Sequence, residues 1–142
     1  MDKEEAMGNV SFEGLSRIGQ INIPVHDLET SVEFYRDSLG MNYLFQVPNM
    51  AFFDCGGIRI LLAVPEDDAL DHPSSIIYFK VDDIHIATDA LRDRGVGIRG
   101  NPELVAEMAD HDLWMSSFRD PDENTLALMS EVARPDRIEQ SA

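Results

Sequence analysis

Residues 18–41 read IGQINIPVHDLETSVEFYRDSLGM. Ile21, Ile23 and Val25 alternate with Gln20 and Asn22, the period of a strand that packs one face and leaves the other open. Asp27 then stands where a helix N-cap is needed. Leu28, Val32, Tyr35 and Leu39 lay an apolar stripe along the helix that follows, and Gly40 supplies its stop. The same order returns further on. Ile77, Phe79 and Val81 share a face opposite Ile76, Tyr78 and Lys80, Asp83 caps a second helix, and Gly95 ends it. An offset of 56 lays Ile21, Ile23, Val25, Asp27 and Leu28 on Ile77, Phe79, Val81, Asp83 and Ile84. An offset of 66 lays Phe52, Asp54, Ile60 and Leu62 on Phe118, Asp120, Leu126 and Leu128. Self-similarity at fixed offsets argues for two copies of one supersecondary unit, and the difference of ten places an insertion in the second copy between its helix and its last hairpin.

The stretches MNYLFQV, MAFFDC and IRILLAV predict three strands after the first helix. VGIR, HDLWMSSF and TLALMSE predict three after the second, the last two joined by the turn RDPDEN. Each copy is therefore expected to run strand–helix–strand–strand–strand, an α+β arrangement with helices on one side of each sheet. If Ile58, Ile60 and Leu62 pack on the helix, Leu61 faces the interior. By the same alternation Ala127 and Met129 face inward, and pairing across the turn adds His111, Met115 and Ser117. The expected organisation is an N-terminal tail over 1–16, one domain over 17–131 and a C-terminal tail over 132–142. Within the domain, module one covers 17–64, a Pro-containing acidic linker 65–75, and module two 76–131.

A chain of 142 residues has the length of one domain and buries about 70% of its unfolded surface. Its 27 acidic against 11 basic residues give a formal charge of −16, which repels nucleic-acid phosphates and anionic lipid and favours neutral or cationic small ligands. No apolar run reaches the roughly 18 residues of a membrane span, and the first residues lack a signal-peptide core, so a cytoplasmic location is expected. The single Cys55 has no partner for a disulfide or a cysteine-rich zinc site.

Three motifs, IGQINIPVHDLETSVEFYRDSLGM, VDDIHIATDALRDRGV and FRDPDENTLALMSE, resemble the vicinal oxygen chelate superfamily of glyoxalase I, bleomycin-resistance proteins and extradiol dioxygenases. The resemblance spans nearly all of 17–131. It implies paired βαβββ modules forming a cupped mixed β-sheet around a central cavity, helices outside, and a homodimer that often completes the cup. Superfamily members that use a metal place His, Gln or Glu at four cavity positions. Here these positions look like Gln20, Leu61, Ile76 and Ala127. Only Gln20 offers an electron pair, and a hard cation needs several oxygen or nitrogen ligands. No metal and no cofactor is expected.

The remaining lining is mixed. Gln20, Asn22, Tyr78, Ser117 and His111 supply donors and acceptors, and Leu61, Ile76, Met115, Ala127 and Met129 supply apolar wall, the composition of a small-molecule site. The alternative is a barrel filled by its own side chains, with Gln20 and Asn22 bonded to each other or to buried water. Three functions follow, in order of preference. The first is a metal-independent small-molecule-binding protein. The second is a metal-free enzyme using His111, Glu107 or Tyr78 as acid or base. The third is a metal-dependent lyase, isomerase or dioxygenase with an unrecognised ligand set.

Overall fold

The computed structural model describes residues 12–134. Of the expected tails over 1–16 and 132–142, residues 1–11 and 135–142 lie outside the described residues. Among these residues eight strands and two α-helices follow one another as two βαβββ units. The first comprises β1 (Gln20–Pro24), α1 (Leu28–Glu33), β2 (Asn42–Val47), β3 (Met50–Cys55) and β4 (Ile58–Ala63). The second comprises β5 (Ile77–Lys80), α2 (Ile84–Asp93), β6 (Ile98–Glu107), β7 (His111–Arg119) and β8 (Thr125–Ala133). Each unit makes one four-stranded mixed sheet, ordered β1-β4-β3-β2 and β5-β8-β7-β6, with β1 parallel to β4 and β5 parallel to β8. No helix of the described residues is long and apolar enough to cross a membrane.

Local chemistry explains the helices. Asp27 accepts a hydrogen bond from the Thr30 N–H and Asp83 accepts from the N–H groups of His85 and Ile86, so both aspartates act as N-caps. The first helix does not end as an α-helix. It continues as a π-helical turn over Phe34–Ser38 before Gly40 closes it at φ +69°. Tyr35 stands five residues before its terminating glycine and the corresponding Leu91 only four before Gly95, and the π turn absorbs that extra residue. The offset of 56 therefore slips by one after Tyr35.

The hairpins slip too. Phe53 sits opposite Ile60 and Phe118 opposite Leu126, so the true counterpart of Phe118 is Phe53, and that of Asp120 is Cys55. The offset of 66 between Phe52 and Phe118 is one residue too large on this strand. The physical reason is the second turn, which holds one more residue than the Gly56–Gly57 turn and closes on the bond from Asp120 N–H to Asn124 O. The insertion in the second copy lengthens both strands of the hairpin, β6 to ten residues against six in β2 and β7 to nine against six in β3. β6, expected as the short VGIR, pairs with irregularities between Arg99 and Glu103 and between Leu104 and Ala106. At the C-terminal end, β8 passes the expected boundary at Glu131 and reaches Ala133, with Arg134 N–H donating to Asp110 O.

The two units meet through their helix-covered faces. Ile23, Tyr35, Phe53 and Leu62 of the first join Ile84, Phe118, Leu126 and Leu128 of the second in one buried cluster. A polar clasp crosses the same contact. The buried Tyr35 hydroxyl donates to Asp120 Oδ2 at 2.8 Å, Ser31 Oγ donates to Asp122, and Asn124 Nδ2 donates to Asp120 and to the carbonyl of Pro24. Burial and the Asp120 charge push the Tyr35 phenol far above its ordinary value, so it stays protonated and remains a donor.

Candidate functional site

With their helix faces joined, each sheet keeps one open face, and register fixes what lies on it. On the first sheet, Cα pairing builds a row from Gln20 through Arg59 and Asp54 to Asn42, and a second from Asn22 through Leu61 and Phe52 to Phe45. On the second sheet, Tyr78, Ala127, Ser117 and Arg99 form one row, and Lys80, Met129, Met115 and Glu103 the next. All the candidate lining residues on strands therefore fall on open faces. Ile76, one residue before β5, is half exposed and continues the alternation of Tyr78.

Within one chain these residues form two groups rather than one. A cavity of about 220 Å³ over the first sheet is lined by Asn22, Met50, Leu61 and Leu70 among others. Another of about 410 Å³ over the second is lined by Tyr78, Arg99, Asn101, Glu103, Met115 and Ser117. Asn101 and Glu103 lie beyond the expected strand VGIR, whereas Arg99 ends that strand and joins the lining only through its register opposite Ser117, which the local pattern of the strand does not reveal. The guanidinium of Arg59 lies 5.8 Å from the centroid of the Phe52 ring, and Phe52 in turn stacks on Phe45 at 4.5 Å. Phe45 and Tyr78 remain about half exposed, so apolar surface on both faces has no cover among the described residues of the single chain.

His111 sits apart from the Tyr78 row. It shares the open face but starts β7, four residues and therefore about 13 Å along the strand from Met115. Its Nδ1 lies 2.7 Å from Asp110 Oδ1, and its Nε2 lies 3.9 Å from Glu131 Oε2. Contact with the imidazole holds the Asp110 carboxyl below the usual carboxylate range. Glu107, the sequence neighbour expected beside His111, instead lies 3.7 Å from the Arg134 guanidinium.

The other histidines are structural. His85 meets Trp114 edge-on at 5.3 Å, and His72 Nδ1 lies 3.1 Å from the Pro73 carbonyl. His26 straps the units together, with Nδ1 2.7 Å from Asp122 Oδ1 and Nε2 2.9 Å from Asp71 Oδ1. Hydrogen bonds to the two carboxylates, first Asp71 and then Asp122, raise its pKa above the 6.5 of a free imidazole. A raised folded-state pKa stabilises the fold fully below about 6.5, and that gain is lost as pH rises through the folded value. His26→Gln should therefore lower the urea midpoint at pH 5.5 and leave it unchanged at pH 9. Equal losses at both would show that the charged strap contributes nothing.

Residues 17–128 match the Glyoxalase/Bleomycin resistance protein/Dioxygenase superfamily. The chain belongs to this superfamily. The uncharacterized protein YraH of Bacillus subtilis (strain 168) is 32% identical over 123 residues, covering 77% of this chain and 94% of YraH. Among solved structures, lactoylglutathione lyase from Agrobacterium tumefaciens superposes with a TM-score of 0.67 at 21% identity, over 82% of this chain and 95% of that one. A superfamily member from Sphaerobacter thermophilus does so with 0.67 at 24% identity, over 82% and 98%. At such identities these two structures speak for the fold alone.

The superfamily's metal positions can be tested against the donors present. Gln20 brings one amide oxygen, and Leu61, Ile76 and Ala127 bring none. The cross-strand partner of Gln20 is Arg59, a fixed cation where a divalent ion would need negative charge. The donor set does not fit a divalent metal.

Proposed function

We propose that this member of the glyoxalase/bleomycin-resistance/dioxygenase superfamily is a metal-independent binder of a small neutral or cationic molecule, acting as a homodimer. The carrying observation is the pair of uncovered open faces. Each joins a few polar side chains (Gln20, Asn22 and Arg59 on one, Tyr78, Ser117 and Arg99 on the other) to exposed apolar wall, and each lacks a roof among the described residues. A second copy that lays its second sheet over the first sheet of its partner would join the two half-sites into one lined cavity. The formal charge of −16 draws cations and neutral molecules toward the protein, and Asp54 beside Arg59 and Glu103 near Arg99 offset the two guanidinium charges on the lining.

The test is a thermal-shift screen of small molecules with and without divalent ions. A ligand is expected that stabilises equally in chelator. Gln20→Ala or Tyr78→Ala should weaken it about tenfold, the loss of one well-placed hydrogen bond or ring contact worth about 1.4 kcal/mol. A ligand that stabilises only with metal, or that ignores both substitutions, would overturn the proposal.

The Asp110–His111 pair supports a second reading, metal-free acid–base catalysis, because the carboxylate orients the imidazole as a general base requires. Turnover of a bound compound that is abolished in His111→Ala and lowered in Asp110→Asn would favour it. Binding untouched by either variant, with no turnover, would remove it.

A further inference from the structure

The internal repeat makes the two ends of the contact between the units comparable, and they are not alike. At one end Phe34 and Tyr35 fill the space, packed edge-on with centroids 5.4 Å apart, and the Tyr35 hydroxyl reaches Asp120. At the other end the repeat puts Ala90 in place of Phe34, Leu91 in place of Tyr35, Ala87 in place of Ser31 and Cys55 in place of Asp120. Two rings and a carboxylate have become small apolar groups. What stands there is a cavity of about 450 Å³ with Ala87, Ala90, Leu91 and Cys55 in its wall. That volume lies within the range of about 300–1,000 Å³ typical of small-molecule sites.

This cleft is not the open-face site. Its floor includes Phe79 and Leu128, cross-strand partners on the helix-covered face, opposite to Tyr78 and Ala127. Polar groups stand only around it: Asn42, Asp54 and Arg94. Arg94 Nη1 donates to the carbonyl of Ser38, and its other guanidinium nitrogens bond none of the described residues. One cation and one anion leave the lining neutral. Burial first, and then the Asp54 charge, push the Cys55 thiol up, so it stays protonated and forms part of the apolar wall.

We infer that this cleft is a second binding site, for a neutral aromatic molecule of one or two rings whose ring system takes the place that Phe34 and Tyr35 fill at the other end. A hydrogen-bonding substituent on the ring would meet Arg94. The site is independent of the open-face reading and stands or falls separately.

Cys55, the chain's single cysteine, reports on the cleft directly. Its alkylation by iodoacetamide should be slowed about fivefold by indole at about four times its dissociation constant, since only the unoccupied protein reacts. Ala90→Phe, which refills the cleft from within, should abolish the effect of indole and raise the melting temperature. Ala87→Leu serves the same purpose if the larger substitution misfolds. Tyr78→Ala, on the open face, should leave protection intact. The inference fails if indole gives no protection, or if Tyr78→Ala removes it. It also fails if Cys55 without indole is already as slow as with it, or slows as protein concentration rises, since another segment or a second copy then covers the cleft.

Discussion

Replacing Asp120 with Ala should lower the stability of the fold by about 3–5 kcal/mol, measured as a shift of the urea midpoint at constant slope. Asp120 is 4% exposed and accepts four hydrogen bonds, from the Tyr35 hydroxyl, the Asn124 side chain and the N–H groups of Asp122 and Asn124. Its loss strands a buried phenol and the donors of a tight turn, and it unclasps the two units at one stroke. Tyr35→Phe removes one of those bonds and should cost less, about 1.5–3 kcal/mol, the range for a hydrogen bond to a charged group. Asp54, the residue that repeat arithmetic alone would match to Asp120, makes no side-chain hydrogen bond among the described residues, and Asp54→Ala should cost little. A loss below about 1 kcal/mol for Asp120→Ala would show that the clasp does not hold the units together.

The second large effect concerns assembly. In the proposed dimer, Tyr78 on the edge strand β5 and Ile76 just before it lie against the partner copy. Half of Ile76 is exposed in the single chain, an apolar side chain at a sheet edge with no cover. Sedimentation of the unaltered chain should give twice 15.9 kDa. Ile76→Asp should weaken association by at least about tenfold, because a carboxylate would have to shed its water at the contact. The circular dichroism of the variant should not change, since Ile76 lies before β5 and outside the core. A chain that sediments as a monomer at all concentrations would leave each half-site open and would defeat the joined cavity.

Much of this was legible in the sequence because strand alternation is unforgiving. Once Ile60 and Leu126 are assigned to the helix, Leu61 and Ala127 can only face the other way, and the register bears this out. Met115 and Ser117 follow from Phe118, whose buried ring fixes the phase of β7. The N-caps Asp27 and Asp83 were equally plain, since a short acceptor just before an apolar helical stripe has few other uses.

Other features escaped for identifiable reasons. The π turn leaves the composition of its helix unchanged and shows only in the count of residues between Tyr35 and Gly40. Gly100, Asn101 and Pro102 look like a loop and shorten the β6 that the sequence predicts, whereas irregular pairing lets the strand run past them. Which faces of the two sheets would meet depended on Tyr35 finding Asp120, 85 residues away, and no local pattern announces that bond. Consequently the sequence puts Asn22 and Tyr78 around one hollow, whereas within the single chain they line separate cavities. The Asp110–His111 pair was likewise overlooked in favour of Glu107, although the two residues are adjacent in sequence.

The donor-poor wall is the claim on which the functional account turns, and it can be measured without knowing the ligand. The purified chain, stripped with chelator and dialysed, should be titrated calorimetrically with zinc, manganese and nickel in turn. The account predicts no saturable heat at one ion per chain or per half-site, and no change in melting temperature. A single divalent ion held tightly at that stoichiometry, and lost on Gln20→Ala, would contradict it.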